Sequence, residues 1–314
     1  MTEFLAVAWK AGEVPELLGA AGTLGGGDET ALLFLGGDEE ARQAAARWGA
    51  LHRIPGIETR LADTGSVAGA LAGAQKALFA PVVLLPSTRR GKETAGRLAQ
   101  ILGAGVLTDV HRMERGEGGA ICCHRYALGG AAVSVQRIGT AVQVIALDPG
   151  SFEAAPERGP GPVNEFSVPL PEGSVVLREA RPRVRDTVDI AAADCLVAVG
   201  LGLDRKEDLA LVERLARAVG GEIACSKPVA TDRKWLPEDR IIGLSGKKCR
   251  PALAVLLGIS GQVQFTVGIR DAKTILSVNT DENAAIMPLS DYVFIADLRE
   301  ILPELAGKMD AGPG

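Results

Sequence analysis

Short apolar runs alternate with Ala-, Glu- and Arg-rich stretches through the first hundred residues. The segments Phe4 to Ala8, Ala31 to Leu35, Glu58 to Ala62 and Val82 to Leu85 have the length and spacing of strands. Between them, helical periodicity runs near Val14 to Ala21, Glu39 to Trp48, Val67 to Lys76 and Glu93 to Leu102. Strands alternating with helices predict a parallel sheet built from βαβ units. From Val106 to Ala146 the period changes. Ala120 to Tyr126, Ala131 to Gln136 and Ala141 to Leu147, split by Gly-Gly or Gly-Thr, predict antiparallel strands closing one side of that sheet.

Residues 154–173 are rich in Pro, Gly and Glu and predict a loop or crossover. The charged stretch from Arg178 to Asp189 then predicts a connector, which divides the chain into domains of residues 1–185 and 186–314. The α/β alternation resumes beyond it. Strand Cys195 to Val199, helix Lys206 to Val219 and strand Glu222 to Cys225 come first. Strands Ala254 to Leu257, Thr274 to Val278 and Tyr292 to Ala296 follow, with a closing helix from Leu298 to about Lys308. The expected architecture is α/β in two domains: an N-terminal parallel sheet with an antiparallel extension, and a C-terminal doubly wound domain.

Composition narrows the function. The 314 residues are 47% hydrophobic and 23% charged, enough to bury two cores. Aromatic residues make up only 4% and the net charge is −5, so the stacking platforms and basic groove of a nucleic-acid binder are missing. Cys122 and Cys123 are neighbours, while Cys195, Cys225 and Cys249 are isolated. The three histidines, His52, His111 and His124, do not complete the clustered ligand sets of zinc or iron–sulfur sites. Such scattered cysteines read as reduced core thiols. The N-terminus lacks a basic region followed by an apolar one, and no apolar run reaches membrane-spanning length. The expectation is a cytoplasmic protein with no integral membrane segment.

Two phosphate-loop lookalikes fail on detail. Arg90-Gly91-Lys92-Glu93-Thr94 lacks the upstream Gly, and its hydroxyl comes one residue late. Gly200-Leu201-Gly202-Leu203-Asp204-Arg205 has Arg where a dinucleotide fingerprint needs its third Gly. Few histidines and no Gly-x-Ser-x-Gly leave hydrolase chemistry without apparatus. The informative stretch is Cys225 to Asp297. Gly243-Leu244-Ser245-Gly246 presents a hydroxyl on a glycine turn. Gly258-Ile259-Ser260-Gly261-Gln262-Val263-Gln264 follows a strand, with Ser260 as the expected N-cap of a new helix and an anion site at its start. Asn279, Asp281 and Asp297 stand at the carboxyl ends of expected strands, where open α/β sheets bind ligands.

These segments, together with Cys225-Ser226-Lys227-Pro228, Trp235-Leu236-Pro237, Val278-Asn279, Ser290-Asp291-Tyr292 and Ala296-Asp297, make residues 194–307 resemble the C-terminal FAD domain of the electron-transfer flavoprotein alpha subunit, in its Fix-like branch. Pro86 to Phe152 resembles that family's N-terminal domain. The resemblance implies an electron carrier rather than a stand-alone enzyme. It would form a heterodimer with a beta subunit, bind FAD non-covalently, and exchange electrons with a dehydrogenase of acyl-CoA type or another redox partner. It places the FAD pyrophosphate near Ser260, Gly261 and Gln264, with Gln262 in the same loop, and the adenosine end near Asn279 and Asp297. It places the flavin ring near Ser226, Lys227, Leu244, Ser245, Gly246 and Phe265, with the Ser245 hydroxyl at N5. Four positions depart from the family pattern: Leu201 and Lys227 stand for Arg, Leu244 for Gln and Phe265 for His. All four fall at the ring end, which implies a retuned flavin. The alternative is a flavin-poor relative acting as an assembly subunit.

Overall fold

The computed structural model describes residues 2–27, 29–130, 132–173, 175, 177–179 and 188–310. The expected boundary at 185/186 and most of the charged connector lie outside the described residues. By internal contacts the chain divides into two units, residues 1–181 and 182–314.

The N-terminal unit runs β1 (Phe4–Ala8), α1 (Val14–Thr23), β2 (Thr30–Phe34), α2 (Asp38–Trp48), β3 (Gly49–Arg53), α3 (Thr64–Leu78), β4 (Val82–Pro86) and α4 (Arg89–Leu102). It continues through β5 (Gly105–Arg115), β6 (Ile121–Ala127), β7 (Ala132–Gln136), β8 (Gln143–Leu147) and β9 (Gly159–Glu165). The nine strands form one sheet in the order β7-β6-β5-β8-β4-β1-β2-β3-β9. β5, β6 and β7 pair antiparallel, and every other pairing is parallel. The central strands β1 and β4 are buried along their whole length, as apolar strands covered on both faces must be. Phe4, Ala6 and Ala8 pack toward α1 and α2, while Leu5 and Val7 pack toward α3 and α4.

Three expectations are corrected here. Glu58 to Ala62 is not a strand, because Ile57–Arg60 winds into a short 3-10 turn with Thr59 N–H donating to the Gly56 carbonyl at 3.2 Å. The strand in that place is β3, nine residues earlier in the chain. Ala141 to Leu147 forms β8, but β8 runs parallel between β4 and β5 rather than joining the antiparallel extension. The Pro/Gly-rich stretch contributes β9, an edge strand parallel to β3, where prolines without N–H groups are tolerated.

The C-terminal unit runs β10 (Cys195–Val199), α5 (Leu209–Ala218), β11 (Glu222–Cys225), α6 (Lys227–Thr231), β12 (Leu253–Leu257), α7 (Val263–Thr266), β13 (Ile275–Asn279), β14 (Tyr292–Ile295) and α8 (Leu298–Asp310). Its five strands are all parallel, in the order β11-β10-β12-β13-β14. Val197 and Val199 pack under α5 and α8, and Leu196 and Ala198 face Phe265, Ile275 and Ile286. This is the doubly wound domain the sequence predicts. Its connections reverse direction between β10 and β12, and at such a switch point the loops beyond the strands part and leave a crevice.

Candidate cofactor site

A cavity of about 620 Å³ opens at that crevice. Four strand ends build it. Gly200, Leu201 and Gly202 follow β10, Ser226, Lys227 and Pro228 follow β11, Gly258 to Gln262 follow β12, Asn279 ends β13 and Asp281 lies just beyond it. Ile241, Ile242, Ser245, Gln264, Phe265 and Ala284 complete the wall.

Glycines allow these loops to meet. Gly202 N–H donates to the Gly258 carbonyl at 3.0 Å, and a Cβ on Gly258, whose φ is +61°, would lie 2.7 Å from the Gly202 Cα. The Gly200–Gly202 lookalike is therefore a backbone-to-backbone packing contact. Gly261 has φ +83°, and a Cβ there would stand 2.2 Å from the Ile286 nitrogen. Both positions need a residue without a side chain. The Ser245 turn is pinned by Leu244 N–H donating to the Gln264 carbonyl at 2.7 Å and Gly246 N–H donating to the Gly243 carbonyl at 3.0 Å.

One expectation of the sequence changes character. The helix after Gly261 is the single turn α7, its N-cap is Gln262 rather than Ser260, and no side chain caps it. So short a helix contributes little dipole. The polar groups at this strand end are instead the Ser260 and Gln264 side chains and the loop's own backbone. Asn279 is also occupied structurally. Its side-chain nitrogen donates to the Ile259 carbonyl at 3.0 Å, and its oxygen accepts from Asp281 N–H at 3.2 Å. Asn279 thus ties the β12 loop to the β13 loop.

Of the residues singled out from sequence, Ser226, Lys227, Ser245, Ser260, Gly261, Gln262, Gln264, Phe265 and Asn279 line the cavity. Leu244, Gly246 and Asp297 do not. Leu244 is 73% exposed on the outside of its turn. Asp297 accepts the backbone N–H of Arg299 at 2.9 Å and pairs with the Arg299 guanidinium at 2.7 Å, which holds its carboxyl below the ordinary range. It serves the start of α8. Asp281 is a wall residue that the sequence reading noticed at a strand end without assigning it to the site.

Lys227 is the sole cation among the described residues that line the cavity, and Asp281 the sole anion. They stand beyond β11 and β13, two strands apart from one another across β10 and β12. The wall between them is largely apolar. Phe265 is 7% exposed and belongs to the core beneath the cavity with Ile242, Leu256 and Ile259. Burial pushes the Cys225 thiol, one residue before Ser226, up to about 12, so it stays protonated at neutral pH. Among the described residues, no helix is long and apolar enough to cross a membrane.

Residues 14–171 match the model of the electron transfer flavoprotein domain, and residues 189–270 match that of the electron transfer flavoprotein FAD-binding domain. The chain belongs to the electron-transfer flavoprotein family. Protein FixB of Escherichia coli O1:K1 / APEC is 37% identical over 226 residues, covering 71% of this chain and 72% of its own. Protein FixB of Escherichia coli strain K12 / DH10B is 36% identical over 230 residues, covering 73% of each. The electron-transfer flavoprotein likeness is thus of the alpha-subunit, Fix-like kind, and the flavin-poor alternative is not favoured. A solved structure of a thiamin diphosphate-dependent enzyme from Mycobacterium smegmatis aligns at TM-score 0.23 and 12% identity, over 98% of this chain and 59% of that one, too weak a likeness to carry an argument.

FAD is the cofactor of this C-terminal domain. The residues present fit it. The cavity lies in the ordinary size range of cofactor sites, about 300–1,000 Å³, and combines an apolar wall with a few convergent polar groups.

Proposed function

We propose that this alpha subunit holds FAD in the switch-point cavity and works as a heterodimer with an electron-transfer flavoprotein beta subunit. The observation that carries the reading is the cavity itself, whose four strand ends, two of them packed together through glycines, present hydroxyls, amides and one cation over an apolar floor. Ser260, Gly261 and Gln264 would hold the pyrophosphate, and Ser226, Lys227 and Ser245 would border the ring. Asn279 would act by fixing the loops, leaving Asp281 to meet hydroxyl groups at the nucleoside end. When bound, the flavin supplies the electron chemistry. The protein's part is orientation and electrostatics. Lys227 favours negative charge near the ring, Phe265 offers no hydrogen-bond donor, and the apolar wall excludes water.

The donor is proposed to be a dehydrogenase of acyl-CoA type, and the antiparallel extension β5–β7 a docking surface for the beta subunit, since Val133, Val135 and Leu128 are exposed there. Co-expression with a beta subunit tests the reading. A yellow 1:1 complex, bleached by an acyl-CoA dehydrogenase supplied with its acyl-CoA, is the expected result. A colourless complex would contradict the cofactor assignment, and a yellow complex that only other donors bleach would contradict the donor.

A further inference from the structure

The far edge of the C-terminal sheet carries a surface that the cofactor cavity does not use. Among the described residues, β14 is paired on one side only, with β13. All four of its residues are exposed: Tyr292 by 59%, Val293 by 42%, Phe294 by 47% and Ile295 by 53%. The strand is bare on both faces because α8 leaves it to pack Leu298 and Leu302 with Val212 and Leu215 of α5. Ala296 N–H donates inward to the Asn279 carbonyl at 3.0 Å. In a parallel ladder alternate residues bond inward, so Tyr292 and Phe294 bond to β13 and the backbone groups of Val293 and Ile295 face outward. Isolated apolar residues on a surface need no explanation. Four in succession on an unblocked edge form a template for another strand.

Charge decides which strand. Residues 281–308 hold six acidic side chains, Asp281, Glu282, Asp291, Asp297, Glu300 and Glu304, against Arg299 and Lys308. A second copy of the same edge would bring like charges together. We propose that β14 accepts a strand from a different polypeptide, apolar along its length and flanked by Lys or Arg, and that the beta subunit supplies it. The choice of that subunit rests on the heterodimer reading above. The sheet would thereby gain a sixth strand, and the apolar edge would be covered only in the assembled protein.

Hydrogen–deuterium exchange of residues 290–297 tests this, in the full chain alone and in its complex with the beta subunit, with complex mass recorded alongside. The expected result is exchange at Val293 and Ile295 at least tenfold slower in a 1:1 complex. Phe294→Glu should weaken that complex at least tenfold while leaving the melting temperature of the chain alone unchanged. A 1:1 complex whose edge amides exchange as in the free chain overturns the strand proposal and leaves the heterodimer standing. No complex at all overturns both. Protection in the chain alone, with doubled mass, means that a second copy covers the edge and also overturns the proposal.

Discussion

Ser245, Asn279 and Asp297 show how three polar residues near one domain's strand ends come to have three different jobs. Ser245 presents its hydroxyl to the cavity from a turn that other bonds hold in place. Ser245→Ala should therefore leave FAD bound and shift its reduction potential, measured by redox titration of the complex. Asn279 spends its amide on two neighbouring loops. Each such neutral bond contributes about 0.5–1.5 kcal/mol, so Asn279→Ala should weaken FAD binding by roughly tenfold, about 1.4 kcal/mol, in an equilibrium titration. Asp297 faces Arg299 and starts α8. Asp297→Ala should leave FAD affinity unchanged and lower the melting temperature slightly. If Asp297→Ala released FAD while Asn279→Ala did not, these assignments would be reversed.

Among elements, legibility followed burial. β1 and β10 read directly from the sequence because a strand buried on both faces is a continuous apolar run. Glu58 to Ala62 misled because Ile57, Thr59 and Leu61 alternate with polar residues as a half-buried strand would, yet local backbone bonds wind the segment into a turn. β3 and β9, with Arg, His, Pro and Gly, lack that signal and owe their form to their neighbours in the sheet. The direction of β8 is likewise a matter of which strands flank it, which no local pattern encodes. At the site, motifs marked Ser245, Ser260 and Gly261, whereas the role of Gly202 depends on Gly258, more than fifty residues away. That contact can be tested. Gly258→Ala combines a left-handed backbone, costing about 1–2 kcal/mol for an L-residue, with a Cβ forced against Gly202. A loss of at least about 2 kcal/mol is expected in chemical unfolding of the C-terminal unit, and a change under about 0.5 kcal/mol would contradict the packing described.

For the molecule as a whole, all five cysteines are buried free thiols. Burial pushes Cys123, Cys225 and Cys249 up to about 12. An unfolded thiol titrates near 8.5. Above that pH the unfolded chain releases protons that the folded chain keeps, so stability is full below it and falls as pH rises toward 12. Each fully affected thiol removes about 1.4 kcal/mol per pH unit in that window. Unfolding free energy should hold level from pH 7 to 8 and drop between pH 9 and 10, less so in Cys225→Ala. A flat profile to pH 10 would show that these thiols titrate freely.

FAD binding in the cavity beyond β10 to β13 is tested most sharply by the FAD content of the co-purified complex with and without Ser260→Tyr. Ser260 lines the cavity and is exposed, so a larger side chain there fills the space without entering the core. Ser260→Tyr should still form a 1:1 complex with the beta subunit but carry one FAD fewer than the wild type. Equal FAD content in the two complexes, or none in the wild type, would contradict that placement.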